Sequence, residues 1–144
     1  MFIGPIEDRL AIRELIDAYS DAVMLRDADA WGKVWAEDAY WSLPEFPGHD
    51  AFDGREAIVS GWVMSMTTYG SMSDFSVPMI YAASPGAIEV AGDGATARVY
   101  TSEIYRDPTD DIEHRVRGLY QDELARIDGR WLFTRRVYRV LHRD

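Results

Sequence analysis

The feature that most constrains this chain is a pair of long strand-like runs joined by Asp128-Gly129, within residues 118–140. Glycine adopts positive φ at little cost and aspartate tolerates the left-handed region, so Asp-Gly between apolar runs predicts a tight β-hairpin. In both runs aromatic residues are interleaved with charged ones, which gives each strand one face for a core or pocket and one for solvent. We therefore expect the rest of the chain to cover one face of a sheet that ends in this hairpin.

Helices are predicted before the sheet. Residues 6–26 carry an apolar stripe at helical spacing and predict a long first helix. We expect Asp29 to cap a short second helix over residues 30–36, with its apolar side chains directed inward. A third helix is predicted over residues 55–66, directly after a glycine.

The remaining segments predict a meander of antiparallel strands. Helices followed by such a meander predict an α+β fold, in which a strongly curved antiparallel or mixed sheet and three N-terminal helices form a cone around a ligand-sized pocket. We predict a single domain over residues 1–144. The predicted strands cover residues 39–43, 75–82, 87–90 (after a turn or bulge at Ser84-Pro85-Gly86), 95–106, 113–126 and 130–141.

Composition excludes several classes of function. A net charge of −10 repels nucleic acid and anionic membranes, and no apolar run is long enough to span a bilayer. The absence of cysteine excludes disulfides, thiolate metal sites and a cysteine nucleophile, and the histidine spacing matches no metal motif. We expect no cofactor or metal and, since the N-terminus lacks a signal-peptide pattern, a cytoplasmic location.

Five short motifs resemble those of SnoaL-like proteins, a family within the nuclear-transport-factor-2-like superfamily that also includes scytalone dehydratases and hexachlorocyclohexane dehydrochlorinases. The motifs are the tyrosine of the first helix, AEDAYW at 36–41, GREAI at 54–58, GDGATA at 92–97 and GLYQDELARIDGRWLFTRR at 118–136. The resemblance covers nearly the whole chain and implies the cone-shaped fold. It does not define a reaction, because this fold carries many different activities.

The resemblance also implies which side chains face the pocket. The dehydratase-type relatives use an Asp near the end of the first helix and a His after the third. Here the Asp position falls on Met24 or Asp27, and the His position on Ser73 or Asp74, so the dyad is at best half present. The candidate catalytic residues are Tyr19, Asp27, Tyr120 and Arg136, and the candidate substrate-binding residues are Met24, Trp41, Leu43, Trp62, Arg98, Tyr100, Ser102 and Gly118.

Two histidines have alternative interpretations. His49 lies in a proline- and glycine-rich loop, where it is either part of a lid over the cone mouth or an exposed residue bonded to Asp50 or Asp53. His114 shares the predicted pocket-side face of its strand by alternation, but pairing with Glu113 or with an acid of the 109–111 loop is the simpler interpretation.

The chemistry expected at the site combines tyrosines with arginine. A buried guanidinium needs a counter-charge, which Asp27, Asp122 or an anionic ligand could provide, and it would lower the pKa of a neighbouring phenol. With a two-residue turn, Asp122 would oppose Arg135 and leave Tyr120 and Arg136 on opposite faces. A three-residue loop with a bulge at the glycine puts both on one face, and we predict this bulged register.

Two classes of function follow. The first is a cofactor-independent lyase, dehydratase or isomerase that acts on a small hydrophobic compound of aromatic or polyketide-like type. The alternative is a non-catalytic ligand-binding or dimerisation module that has lost the Asp/His dyad. In either case we expect a homodimer through the outer sheet face, for which Val99 and Thr101 supply apolar surface.

Overall fold

The computed structural model describes residues 1–144 and contains three helices and seven strands. The α+β prediction is confirmed, with all three helices in the first half of the chain. The helices are α1 (Ile6–Leu25), α2 (Ala28–Gly32) and α3 (Arg55–Tyr69), and the strands are β1 (Phe2–Ile3), β2 (Trp35–Ser42), β3 (Phe52–Asp53), β4 (Met79–Ala91), β5 (Gly94–Asp107), β6 (Ile112–Ile127) and β7 (Arg130–Arg143).

The strands form one mixed sheet in the order β1-β4-β5-β6-β7-β2-β3. Strands β4 to β7 are an antiparallel meander, whereas β1 is parallel to β4 and β2 is parallel to β7. Helix α1 packs against β4 and β7, and α3 packs against β2 and β5, so the helices cover the inner face of the curved sheet. None of the three helices combines the length and the hydropathy that a membrane-spanning helix requires.

The second helix and the start of β2 differ from the prediction. The second helix is capped by Asp27, whose Oδ1 accepts a hydrogen bond from the amide of Ala30 at 3.0 Å, and not by Asp29. It ends at Gly32, and Trp35 already begins β2. The helix is shorter because Trp35 pairs with Phe133 of β7, and its buried indole joins the aromatic core from a strand.

The predicted start of β4 was early, since the strand begins at Met79 and not at Phe75. Asp74 prevents earlier pairing because its Oδ1 accepts hydrogen bonds from the amide and hydroxyl of Ser76, at 3.0 and 2.6 Å, and holds a turn. Of the turn or bulge predicted at Ser84-Pro85-Gly86, the structure has a bulge, seen as a register shift between Pro85 and Ile88.

The inner face of β5 is the opposite of the predicted one. Val99 and Thr101 are buried inside the cone, and Glu103 follows them on that face. The prediction that Val99 and Thr101 lie on the outer sheet face is therefore wrong. A one-residue change of register moves every side chain of a strand to the other face. The predicted pocket residues of this strand, Arg98, Tyr100 and Ser102, consequently lie on the outer face.

The hairpin has a two-residue turn and two bulges. Asp128 and Gly129 both have positive φ, at 51° and 77°, and Leu124 opposes Phe133. The predicted three-residue loop at the glycine is therefore wrong. The extra residue lies further along β7, at Thr134, which has no partner in the register, and Leu141 is a second such residue.

The bulge at Thr134 places Tyr120 and Arg136 on the same face, as predicted, although the bulge was expected at Gly129. Beyond Thr134, Asp122 opposes Arg136 instead of Arg135, and Tyr120 opposes Tyr138. Tyr120 and Arg136 are therefore both buried on the inner face, as the bulged register required.

Candidate functional site

The cone contains a cavity in two parts. The mouth has a volume of about 310 Å³, and a narrower inner recess adds about 60 Å³. Four residues line both parts: Leu43, Ser65, Met79 and Glu103. The mouth is otherwise lined by Phe46, Pro47, His49, Tyr69, Tyr105, Asp107, Tyr138 and Arg143, and the inner recess by Tyr19, Val23, Trp41, Trp62, Met66, Tyr81 and Tyr120.

Glu103 lies at the junction of the mouth and the inner recess. Its carboxyl lies inside the protein and not at the outer surface. The side chain is partly exposed, and the exposed part faces the cavity. It forms no ion pair and no hydrogen bond within the protein, and burial raises the pKa of its carboxyl to about 7. A carboxyl of that pKa exchanges a proton readily near neutral pH, as a general acid or base must.

Three phenols line the inner recess. The Tyr120 hydroxyl accepts a hydrogen bond from Nε1 of Trp41 at 3.0 Å and lies 3.4 Å from the Tyr19 hydroxyl. The Tyr81 hydroxyl is buried without a partner. Burial raises the pKa of Tyr19 to about 12 and the pKa values of Tyr81 and Tyr120 well above their ordinary value.

The pKa values of these phenols are therefore raised, although the sequence predicted that a buried guanidinium would lower the pKa of a neighbouring phenol. Arg136 acts to lower the pKa of Tyr19, with its Cζ 4.5 Å from the ring centroid, but the effect of burial is larger. The phenols remain protonated and can serve as hydrogen-bond donors.

Arg136 is fully buried behind the inner recess and lines neither part of the cavity. Its Nε and Nη2 donate to the two carboxylate oxygens of Asp122 at 2.8 and 3.1 Å, and Tyr19, Tyr120 and Phe133 surround its guanidinium. Burial opposes the positive charge, but the Asp122 carboxylate and the nearby Tyr81 and Tyr19 together outweigh it and keep the pKa of Arg136 above its ordinary value. The counter-charge is thus Asp122, and the guanidinium is not available to a ligand.

The predicted Asp27 and Met24 do not reach the cavity. Asp27 is exposed as the cap of α2, and Met24 is exposed apart from a contact of its Sδ with the amide of Tyr81. Arg26, directly before Asp27, is buried in a left-handed conformation and donates to the carbonyls of Ser71, Asp74 and Val77. The turn at Arg26 directs Asp27 away from the cone, because the carbonyl cluster holds the arginine inward.

Of the other predicted residues, Tyr19, Trp41, Leu43, Trp62 and Tyr120 line the cavity. Gly118 faces inward but is covered by the Tyr138 ring, which a Cβ at this position would overlap.

The histidines occupy different positions. His49 lines the mouth, with Nδ1 3.1 Å from the carbonyl of Pro47, and does not pair with Asp50 or Asp53. His114 pairs with Asp110 at 2.8 Å outside the cavity, as the simpler interpretation stated. Asp107, Asp110 and His114 cluster closely enough to offer three ligand atoms, but Asp110 is bonded to His114 and Asp107 to Thr109.

Glu103 was missed because the alternation of β5 was assigned from the wrong residue. A signal was present in the sequence: Val99, Thr101 and Tyr105 alternate as core-compatible side chains, and Glu103 is the acid between them. An acid within an otherwise apolar inner face is the pattern that would have identified it.

Comparison with known proteins identifies the family of this chain. The family model described as a SnoaL-like domain matches residues 5–137. An uncharacterised protein of Mycobacterium tuberculosis is 30% identical over 138 residues, which cover 94% of this chain and 86% of that protein.

Solved structures with the same fold include two with named activities. The LinA-type3 hexachlorocyclohexane dehydrochlorinase of Novosphingobium barchaimii has a TM-score of 0.80 at 18% identity, covering 96% of this chain and 90% of its own. A candidate scytalone dehydratase of Novosphingobium aromaticivorans has a TM-score of 0.78 at 21% identity, covering 96% and 87%. At these identities the likeness establishes the fold.

Proposed function

The chain belongs to the SnoaL-like domain family, and on that premise we propose that it is a cofactor-independent lyase or isomerase acting on a small, mostly apolar compound. The observation that carries the proposal is Glu103, an unpaired carboxyl with a pKa of about 7 at the centre of the cavity. An unpaired acid in an apolar site costs stability, and sites of chemistry are where such groups concentrate.

In the proposed reaction Glu103 removes a proton from a carbon atom next to a carbonyl or similar electron-withdrawing group. The electron pair of that C–H bond forms a double bond. In an elimination, a leaving group departs with its own bonding pair, and a departing hydroxide takes up the proton from Glu103 as water. In an isomerisation, Glu103 returns the proton to a different carbon of the same molecule.

The phenols of the inner recess are proposed to hold the oxygen on which negative charge develops. Their raised pKa values make them neutral donors, and Tyr81 has no partner that would compete for its proton. Donors oriented before the reaction stabilise an enolate more effectively than solvent does, because they need no reorganisation. This replaces the arginine-based role expected from the sequence.

The size of the mouth limits the ligand. Its volume of about 310 Å³ is about twice the roughly 150 Å³ of a cavity that binds benzene. Four aromatic side chains, Phe46, Tyr69, Tyr105 and Tyr138, contribute to its walls. A planar compound of about two fused rings fits this volume and these surfaces, which supports an aromatic or polyketide-like substrate.

The test is Glu103→Gln, which keeps the size of the side chain and removes its acid–base capacity. A panel of aromatic and polyketide-like compounds is screened for loss of water, loss of halide or a shift of a double bond. For a compound that wild type converts, we expect Glu103→Gln to lower kcat by about 10²–10⁴-fold. The matched control is Glu123→Gln, an exposed acid on the outer face of the adjacent strand. Equal turnover by the two variants would remove Glu103 from the mechanism.

The alternative, a ligand-binding module, is favoured by the packed inner end of the cone. Trp41, Trp62 and Met66 are buried there and leave the recess only about 60 Å³. This function predicts saturable ligand binding that is the same in wild type and Glu103→Gln, with no product from either protein. Mass spectrometry of the reaction mixture distinguishes the two functions.

We also propose that a second copy of the chain covers the outer sheet face. Ile80 and Tyr100 are 45% and 44% exposed there, and Leu119 and Val137 are partly exposed beside them. Light scattering of wild type and Tyr100→Glu tests this interface: a dimeric wild type and a monomeric variant are expected. A monomeric wild type at high concentration contradicts it.

A further inference from the structure

The rim of the cavity carries one cation whose position the proposed reaction does not explain. Resting on the proposed function and deepening it, we propose that Arg143 selects ligands whose apolar body ends in a single anionic group, such as an aromatic carboxylate. The carboxylate would lie at the mouth beside Arg143, with the ring system extending inward toward Glu103.

A bulge places Arg143 at the mouth. Arg139, in the regular part of β7, is exposed on the outer face. Regular alternation would give Arg143 the same facing, since the two residues are four apart. Leu141 has no partner in the register, so the facing changes, and Arg143 opposes the buried Val116 on the inner side.

The guanidinium is held in place without being neutralised. Its Nη2 donates to the Tyr105 hydroxyl at 3.2 Å, and its Cζ lies 5.5 Å from the centroid of the Phe46 ring. No carboxylate lies within 4.0 Å of it, whereas the acids paired with Arg106, Arg126 and Arg136 are all within that distance. An unpaired arginine in a chain of net charge −10 leaves its remaining donors free for a ligand.

The surroundings of Arg143 fit an anion at the rim and not deeper. The acid that also lines the mouth, Asp107, forms no ion pair with Arg143. Its Oδ1 accepts hydrogen bonds from the amide and hydroxyl of Thr109, at 2.9 and 2.7 Å, and these bonds lower its pKa more than the charge of Arg143 does. Further in, the only charged group is the Glu103 carboxyl, which would repel an anion. A ligand with one charged end and an aromatic body therefore has a single favourable orientation.

Binding is measured with two probes of the same shape, 2-naphthoate and 2-naphthamide, by titration calorimetry or quenching of the five tryptophans. Wild type, Arg143→Gln, Arg143→Lys and the matched control Arg139→Gln are compared. We expect wild type and Arg139→Gln to prefer naphthoate, and Arg143→Gln to lose roughly tenfold in affinity for naphthoate alone. Arg143→Lys should retain part of the preference, because it keeps the charge but not the planar fork.

A further variant, Ser65→Phe, fills the space between the mouth and the recess and should abolish binding of both probes. The proposal is overturned by no saturable naphthoate binding to wild type, by equal binding of the two probes, or by naphthoate binding that survives in Ser65→Phe. An equal loss of both probes in Arg143→Gln, or the same effect in Arg139→Gln, also overturns it. Glu103→Gln should still bind naphthoate, so failure of the catalytic proposal is seen separately, as turnover without Glu103.

Discussion

Two acids on neighbouring strands, both inside the cone, have opposite environments. Asp122 on β6 lies at the closed end, where both of its oxygens accept hydrogen bonds from the buried Arg136. Glu103 on β5 lies at the open end, where it has no partner and faces the cavity. The same kind of group is structural at one end and available for chemistry at the other.

The difference shows that burial alone does not identify a functional residue. Asp122 and Arg136 pair with each other, and neither lines the cavity. The one guanidinium nitrogen without a hydrogen-bond partner, Nη1, is itself buried. Glu103 retains an unsatisfied carboxyl on a surface that a ligand can reach. Separate changes to the two acids should therefore have separate consequences.

The largest effect on stability is expected from removing the ion pair between Asp122 and Arg136. Asp122→Asn leaves the Arg136 charge buried without its counter-charge and should lower the free energy of unfolding by about 3–5 kcal/mol. Urea denaturation measures it. The control is the double variant Asp122→Leu/Arg136→Met, which removes both charges and should recover most of the loss. A double variant less stable than Asp122→Asn would show that the pair stabilises the fold beyond mutual neutralisation.

At the open end, replacing the acid should change the free energy of unfolding in the opposite direction. The Glu103 carboxyl has a pKa of about 7 in the folded chain against an ordinary value of 4.5, so the folded state binds more protons between these values. Stability then falls as pH rises through that window. Glu103→Gln cannot ionise and should be more stable than wild type by up to roughly 3 kcal/mol above pH 7, with no difference near pH 4. Denaturation at pH 4, 6 and 8 measures it, and a pH-independent difference would contradict the raised pKa.

A smaller effect separates the phenols within the recess. Tyr120→Phe removes the acceptor of the Trp41 Nε1 hydrogen bond and leaves that buried donor unpaired. The expected cost is about 1–3 kcal/mol of unfolding free energy. Thermal or urea denaturation measures it, and no change would mean that Trp41 finds another acceptor.

The smallest effect is expected at Tyr81, whose hydroxyl has no partner to lose. Tyr81→Phe breaks no hydrogen bond and removes a buried hydroxyl that has no partner, so it should not lower stability. It should still lower turnover, because the oxygen of the substrate loses a donor. A clear loss of stability with unchanged turnover would place this hydroxyl with the structural phenols.

Periodicity and turn chemistry made most of the fold predictable. The α+β class, the three helices and the turn at Asp128-Gly129 follow from local patterns that hold in any context. The shared inner face of Tyr120 and Arg136 was also predicted, although the bulge lies at Thr134 and not at the glycine. The second helix was displaced because either Asp27 or Asp29 could cap it, and pairing of Trp35 with β7 decided between them.

The sequence by itself determined which segments become helices and strands, and that the interior is aromatic, because spacing and side-chain type act locally. Only the tertiary structure decided which face of β5 looks inward and where β7 gains its extra residues. The set that contains Val99, Thr101 and Tyr105 is the more core-compatible of the two on β5. Both sets nevertheless mix apolar and polar side chains, so the strand's own pattern favours this face without deciding it, and a single-residue shift exchanges the two sets. Packing against α3 and pairing with β6 choose the set that contains Glu103. The bulge at Leu141 turns Arg143 toward the same cavity.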